Sequence, residues 1–322
     1  MKTNHFIYSP LNYTGGKGKL LPQILPYFPQ DIHCFVDVFC GGANVGINTP
    51  CQTLVLNDLL SPVIDFYRWL EQTPQDEILA QIWAIIEEFE LSQSSVYGYP
   101  VYQCDSSKGL ASYNKEKFLR LRESFNEELI KGNFSPAHFY TLLIYAFNNQ
   151  IRFNQKGAFN LPVGKRDFNE SMQKKLGLFT EVLKTKTVRF TSLDFEELIS
   201  SLSLHSDDFL YFDPPYLIST ATYNENGGWT DDDEHRLLTV LDELHQQGFR
   251  FALSNVLSHK GRQNEILMAW LEKHSDSYRV IHLNYHYQNS NYQTKKTDEW
   301  TDEVLIINYS LDEKEKKKHL SQ

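Results

Sequence analysis

The apolar run Phe209-Leu210-Tyr211-Phe212 stops abruptly on Asp213-Pro214-Pro215-Tyr216. Four consecutive apolar and aromatic residues read as a buried strand. The prolines end it, because proline has no N–H to give to a strand ladder. A carboxylate, two rigid residues and an aromatic ring therefore stand at the tip of a buried strand. Residues 34–39, CFVDVF, read as another buried strand, closed by the turn CGGAN, and residues 53–56, TLVL, as a third that ends at Asn57-Asp58. A helix should follow, with Pro62 in its first turn and Val63, Phe66, Tyr67 and Leu70 on one face. Strand patterns return at 187–191, 249–254, 278–283 and 303–309. Residues 230–246 read as a helix capped by Thr230, with Asp231–Asp233 in the first turn, where the helix dipole favours negative charge. Between the two strand-bearing parts, 76–90, 115–131 and 136–147 have helical patterns, and 92–114 reads as an irregular insertion rich in Ser, Gly and Tyr. Residues 148–168, with Gly157, Pro162 and Gly164, read as a hairpin or ordered loop. The expected fold is α/β: a sheet domain from residues 1–70 and 176–322, interrupted by a mostly helical lobe at 71–175.

A formal charge of −10 argues, as an average, against a nucleic-acid partner, because phosphate contacts need lysine and arginine. The charge is segregated, however. Residues 147–190 carry Arg152, Lys156, Lys165, Arg166, Lys174, Lys175, Lys184, Lys186 and Arg189 against Asp167, Glu170 and Glu181, whereas 55–105 and 207–243 are acidic. A local basic face is compatible with the acidic total. Cys34, Cys40, Cys51 and Cys104 form no C-x-x-C pair and no zinc-spaced array with histidine, so buried reduced thiols and no metal are expected. His282 and His286 have the four-residue spacing of helical metal sites but lie in a strand-like stretch. No apolar run approaches the ~18–20 residues of a membrane span. MKTNHFIYSP lacks the apolar stretch of a signal peptide, which makes the cytoplasm the expected location.

Three stretches carry chemistry. In FVDVFCGGANVG, residues 35–46, glycines after a strand let a ligand approach the backbone closely. Asp58 at the next strand end can accept hydrogen bonds from both hydroxyls of a ribose. The pair suits a nucleoside-containing cofactor, although Ala43 stands where the dinucleotide fingerprint has its second glycine. YTGGKGK, residues 13–19, is not a P-loop, which needs G-x-x-x-x-G-K-[ST] directly after a strand. Its glycines permit an unusual turn, and Lys17 can pair with a carboxylate or a phosphate. In Asp213-Pro214-Pro215-Tyr216, the carboxylate and the Pro214 carbonyl can accept the two N–H groups of an aromatic amine such as the exocyclic nitrogen of adenine. That draws the nitrogen toward tetrahedral geometry and frees its lone pair, while the tyrosine ring can stack on the base.

Taken in order, YTGGKGKLL, FVDVFCGGANVGIN, LNDLLSPVIDFY, FNNQIRFNQKGAFNLPVGKR, FLYFDPPYLIS, SNVLSHKGRQNE and TDEVLIINY resemble the Dam-type (D12 class) DNA adenine N6-methyltransferases, most closely the form encoded by T-even phages. The resemblance runs from residue 13 to about 309. It implies a Rossmann-like methyltransferase sheet with an inserted, mostly helical target-recognition lobe, S-adenosylmethionine as methyl donor, and no metal in the chemistry. It implies that Tyr13 and Lys17 flank the donor, with Lys17 near the donor's carboxylate. Phe39, Gly41 and Gly42 would pack against the donor, Asp37 would lie near its amino group, Asp58 would hold the ribose, and Asp194 and Phe195 the adenine ring. Asp213, Pro214, Pro215 and Tyr216 would hold the flipped target base. The segment 147–166 resembles the family's base-reading hairpin. Arg152 would make a bidentate contact to guanine, Asn148, Gln150 and Pro162 would stand nearby, and Lys156, Lys165 and Arg166 would meet phosphates.

The implied activity is transfer of a methyl group to adenine N6 in a short site of double-stranded DNA, with GATC as the first candidate. The insertion at 93–114 has no counterpart in the short phage form, which leaves the target sequence open. A cognate restriction endonuclease is left open as a partner, no membrane is implied, and no obligate protein partner is evident. Two rivals remain on sequence grounds: an amino-methyltransferase acting on RNA or a protein amide, and a DNA-binding protein that has lost catalysis. A nicotinamide oxidoreductase fits less well, given Ala43 and the proline turn.

Overall fold

A strand that ends on two prolines needs neighbours that end at the same edge, and a parallel sheet supplies them. The computed structural model describes residues 6–218, 228–284 and 301–311. Its strands are β1 (Cys34–Asp37), β2 (Thr53–Asn57), β3 (Thr187–Thr191), β4 (Phe209–Phe212), β5 (Arg250–His259), β6 (Arg262–Gln263), β7 (Arg279–Leu283) and β8 (Thr301–Ile307). They form one mixed sheet in the order β3-β2-β1-β4-β5-β8-β7, with β6 paired to β5. From β3 through β5 the pairing is parallel. β8 runs antiparallel to β5 and to β7. This is a Rossmann-like architecture with an antiparallel strand at one side of a mostly parallel sheet.

Two consequences position the site. The strand order reverses between β1 and β4, and open parallel sheets bind ligands beyond the carboxyl ends of their strands at that reversal. Asp37 ends β1, and Asp213 follows β4 directly. Because β8 is antiparallel, its N-terminal end lies at the same edge as the C-terminal ends of its parallel neighbours, which brings Glu303 there.

The chain divides into two compact units. The sheet unit comprises Lys17–Cys40, Asn48–Leu59 and the chain from Thr187 onward. Its core packs Val36, Val38, Leu210, Phe212, Phe251, Leu253, Val304 and Ile306 with Leu237, Leu241 and Leu267 of its helices. Helix Asp231–Gln246 begins with a full capping box: the Thr230 side chain accepts from the Asp233 N–H and Asp233 accepts from the Thr230 N–H. The glycine-free strand β5 runs to His259, five residues beyond the expected end, because its pairing with β8 continues past a bulge between Val256 and Ser258.

The other unit comprises Gly41–Ile47 and Leu60–Lys186 with the chain up to Gly16. Helix Ser61–Gln72 carries its proline in the first turn and buries Val63, Ile64, Phe66, Tyr67 and Leu70, as its periodicity requires. Helix Pro136–Tyr145 is buried on nearly every side, which explains its almost wholly apolar sequence. The stretch expected to be irregular is partly helical: Ser94–Tyr97 and a 3-10 turn Tyr99–Tyr102 precede helix Ala111–Ile130. Buried Asp167 holds this insertion, accepting from the Ser94 N–H at 2.6 Å, the Ser94 hydroxyl at 2.8 Å and the Ser92 hydroxyl at 3.2 Å. Helix Glu170–Leu183, capped by Asn169, closes the unit. No described helix is long and apolar enough to cross a membrane.

Candidate active site

The sheet unit assembles its site from strand tips. Asn57, fully buried at the end of β2, is the knot that holds them. Its Nδ2 donates to the carbonyls of Val38 at 2.9 Å and Leu193 at 3.0 Å. Its Oδ1 accepts from the Leu193 N–H and the Thr191 hydroxyl, both at 2.9 Å. The loops after β1 and β3 are thereby tied to β2. Neighbouring Asp58 is half-buried, and its N–H donates to the Thr191 carbonyl at 3.3 Å.

An aromatic cluster follows from this arrangement. Phe39, Phe195 and Trp229 have ring centroids 5.7–5.9 Å apart. Trp229 is held by its indole N–H, which donates to buried Glu234 at 2.5 Å. Glu234 also accepts from Asn264 at 2.8 Å and Asn255 at 3.2 Å. Asp194 caps helix Phe195–Ser200 and pairs with Arg236 at 2.8 Å, and the Arg236 guanidinium lies 4.8 Å over the Phe195 ring. Sequence reading named Phe39, Asp194 and Phe195 but missed Trp229 and Arg236, since a lone tryptophan and a helical arginine carry no local signal. A nucleoside with a cationic tail fits these residues. The rings suit a purine, Asp58 at a strand tip suits a ribose, and Asp37, only 1% exposed, supplies a buried carboxylate for positive charge.

At the tip of β4, Pro214 is buried and Asp213, Pro215 and Tyr216 are half-buried. Lys17, only 3% exposed, sets its Nζ 2.8 Å from Asp213 Oδ1 and 3.6 Å from Glu303 Oε1. The Tyr216 hydroxyl lies 3.1 Å from Asp213 Oδ1 and 3.2 Å from Glu303 Oε1, and Lys17 Nζ stands 5.0 Å from the centre of the tyrosine ring. Burial pushes the Asp213 carboxyl above its ordinary range, and the Lys17 ammonium beside it opposes that rise. Lys17 thus sits against the Asp213 carboxylate, the first of the two partner types its position allowed. Glu303 was missed, although a carboxylate that opens the apolar run Val304–Ile307 was a visible anomaly.

In the second unit, the Gly41–Gly42 turn is shaped for close approach. Gly41 has φ +46°, and a Cβ there would stand 2.9 Å from the Tyr13 ring. The Tyr67 hydroxyl donates to the Gly41 carbonyl at 2.8 Å. Ala43 adopts φ +52°, the left-handed region in which glycine is the easier residue. The same unit holds a hairpin. Ala146 pairs with Val163 and Phe153 with Phe159, and Asn154 closes the tip by accepting from the N–H groups of Lys156 and Ala158. Arg152 Nε and Nη2 donate to Asn160 at 2.8 and 3.2 Å, which fixes the guanidinium plane. Lys156, Pro162, Lys165, Arg166 and Asn148 are exposed, and Gln150 is half-buried. Asn12, which sequence reading passed over, donates to the Asn148 carbonyl at 2.6 Å.

A model of the D12 class N6 adenine-specific DNA methyltransferases matches residues 13–318. The chain belongs to that family. It is 41% identical over 315 residues to the type II methyltransferase M.FokI of Planomicrobium okeanokoites, covering 96% of this chain and 44% of that one. Modification methylase StsI of Streptococcus sanguinis is 38% identical over 313 residues, covering 95% and 44%. A DNA adenine methylase of Vibrio cholerae is 27% identical over 251 residues, covering 76% and 80%. The chain spans less than half the length of the first two relatives. Methyl transfer in this family requires a methyl donor, which the nucleoside-shaped tips of the sheet unit fit.

Other candidates resolve differently. His282 Nδ1 pairs with Asp302 at 2.7 Å, and His286 lies outside the described residues. His33, Asp207 and Asp208 bring ligand atoms within 4.8 Å of one another at the opposite sheet edge. There Asp208 serves the turn, accepting from the N–H groups of Cys34 and His205. Of the four cysteines only Cys40 is fully buried, and the others are half-buried. Burial pushes the Cys34 thiol up to about 12 and the Cys40 thiol well above its ordinary value, so neither is a thiolate at neutral pH.

Proposed function

We propose that this chain transfers a methyl group from S-adenosylmethionine to the N6 amine of adenine in a short site of duplex DNA, with GATC the first sequence to test. The Lys17–Asp213 pair at the tip of β4 carries the reading. The amine lone pair of adenine is delocalised into the ring, so the nitrogen is a weak nucleophile. Asp213, opposite the Lys17 ammonium, accepts one N–H, and the Pro214 carbonyl, in a turn stiffened by two prolines, accepts the other. The nitrogen then becomes tetrahedral, with its lone pair directed at the incoming methyl group. Tyr216 offers a stacking face to a base that has left the duplex, a departure that costs a few kcal/mol. Positioning and electrostatics supply most of the acceleration.

When bound, S-adenosylmethionine supplies an electrophilic methyl group. Asp37 would hold its ammonium, Asp58 its ribose, and Phe39, Phe195 and Trp229 its purine. The alkylated amine is acidic enough to lose its proton without a strong base. In the hairpin, Arg152 reads guanine through the guanidinium edge left over after its bonds to Asn160. Lys156, Lys165 and Arg166 neutralise phosphates. A restriction endonuclease with the same site is the proposed counterpart, because the relatives are named type II methyltransferase and modification methylase.

Single-molecule sequencing of DNA lacking adenine methylation, after incubation with the protein and S-adenosylmethionine, tests the reading. N6-methyladenine confined to one short motif supports it and names the site. Donor binding without any methylated adenine overturns it, as does preferential labelling of RNA or peptide in competition with DNA.

A further inference from the structure

Glu303 is a charged residue next to the apolar run Val304–Ile307 of β8 and is only 1% exposed. Its Oε1 lies 3.2 Å from the Tyr216 hydroxyl and 3.6 Å from Lys17 Nζ. Its Oε2 is buried and has no hydrogen-bond donor among the described residues. On the flanking strands its register partners are Val256 and Leu283, both apolar. Asp302 and His282 pair with each other on the other face of the sheet, because successive side chains alternate. Among the described residues, the charged and titratable groups that face Glu303 are Lys17, Asp213 and Tyr216. Tyr211, deeper in the sheet, is engaged with Ser254 at 2.7 Å and adds no charge.

Among the described residues one ammonium thus faces two carboxyls, Glu303 buried and Asp213 half-buried. If both were ionised, one negative charge would remain unbalanced, and a carboxylate oxygen would be buried with no donor, a state that buried charges avoid. The hydroxyl of Tyr216 has one hydrogen and two acceptors within reach. Lys17 is 0.8 Å nearer to Asp213 than to Glu303, so Asp213 is the carboxyl it holds ionised. A proton on Glu303 Oε1 removes two of these conflicts and lessens the other. The second acceptor becomes a donor, the excess charge disappears, and the bare Oε2 becomes a carbonyl-like oxygen.

We infer that Glu303 is a protonated positioning residue: its carboxylic acid donates to the Tyr216 hydroxyl oxygen, Tyr216 donates to Asp213, and Lys17 neutralises Asp213. The inference deepens the reading of Asp213-Pro214-Pro215-Tyr216 as the base-holding site and rests on it for its consequence in catalysis. Burial raises the Glu303 carboxyl above its ordinary range, in the direction this state needs. Deprotonation at alkaline pH places a second anion beside Lys17 and draws the tyrosine hydrogen away from Asp213, so methyl transfer falls.

Infrared difference spectroscopy of wild type against Glu303→Gln at neutral pH tests the protonation without substrate. The expected result is a protonated-carboxyl band in wild type that the variant lacks. Tyr216→Phe should shift that band without removing it, which keeps the test open if the glutamine variant fails to fold. In turnover, Glu303→Ala should lose about tenfold in methyl transfer, the worth of one buried hydrogen bond. Glu303→Gln, a permanently neutral donor, should recover most of that loss and flatten the alkaline limb of the pH profile. Absence of the band, a band indifferent to Tyr216→Phe, or equal losses in the alanine and glutamine variants would overturn the inference. A protein that shows the band yet methylates no DNA retains a protonated Glu303 and instead refutes the function proposed for the site.

Discussion

Replacing Lys17 by methionine keeps the stem and removes the ammonium. Lys17 is 3% and Asp213 17% exposed at the side chain, so the carboxylate loses a cation at 2.8 Å in a mostly dry site. Removing one partner of a buried pair costs about 3–5 kcal/mol. Asp213 keeps the Tyr216 hydroxyl at 3.1 Å and partial contact with solvent. The lower end, about 3 kcal/mol at neutral pH, is therefore expected. The effect must depend on pH. Burial already holds Asp213 above its ordinary value against the pull of Lys17, and loss of Lys17 raises it further. A carboxyl with a folded pKa above its unfolded value gives its full stability below the unfolded pKa and loses it as pH rises through the folded one. The gap between wild type and Lys17→Met should thus be small near the ordinary carboxylate pKa of about 4 and widen as pH rises. Urea unfolding followed by hydrogen exchange at β4 peptides reads the sheet unit separately, which matters because two compact units need not unfold together. A gap that stays constant with pH, or falls below about 1 kcal/mol at neutral pH, would refute the buried-pair argument.

Asp213→Ala should reduce methyl transfer by at least about a hundredfold, with donor affinity by equilibrium dialysis nearly unchanged, as loss of a transition-state hydrogen-bond partner requires. Arg152→Ala should erase about 1–3 kcal/mol of discrimination at one base pair, seen as a broadened motif in methylation of a random-sequence DNA library. Asn57→Ala removes the partner of the buried Val38 carbonyl and of the part-buried Leu193 carbonyl and N–H, so about 3 kcal/mol of stability should go, with weaker donor binding measured by calorimetry. Gly164→Ala would set a Cβ 2.3 Å from the Ala146 carbonyl oxygen, parting the strands of the hairpin. It should cost about 2–3 kcal/mol by thermal denaturation and weaken DNA binding in gel shift more than donor binding.

Some of the site was readable because its residues break local rules. Asp213 and the two prolines end an apolar run, and Gly41-Gly42 follows another; such conflicts with simple strand chemistry are local and visible. Glu303 broke the same rule at the head of an apolar run, but its partners, Lys17 and Tyr216, stand 286 and 87 residues away along the chain. Asn57 looked like the neighbour of a more interesting Asp58. Only the packing shows that its amide ties together three strand tips. The insertion at 93–114 looked irregular because its order comes from Asp167, some 73 residues beyond Ser94, rather than from its own periodicity.

The main strands, the cap of Thr230, the proline-stopped β4 and the family itself follow from the chain alone, because short-range sterics and hydrophobic period act between neighbours. Tertiary structure decided which carboxylate meets Lys17, that Trp229 and Arg236 frame Phe195, and that an antiparallel β8 brings Glu303 to the edge where β4 ends. Those outcomes depend on sheet register and on charges sharing a dry volume. Coulomb energy in such a volume is set by distance in space, which spacing along the chain does not encode.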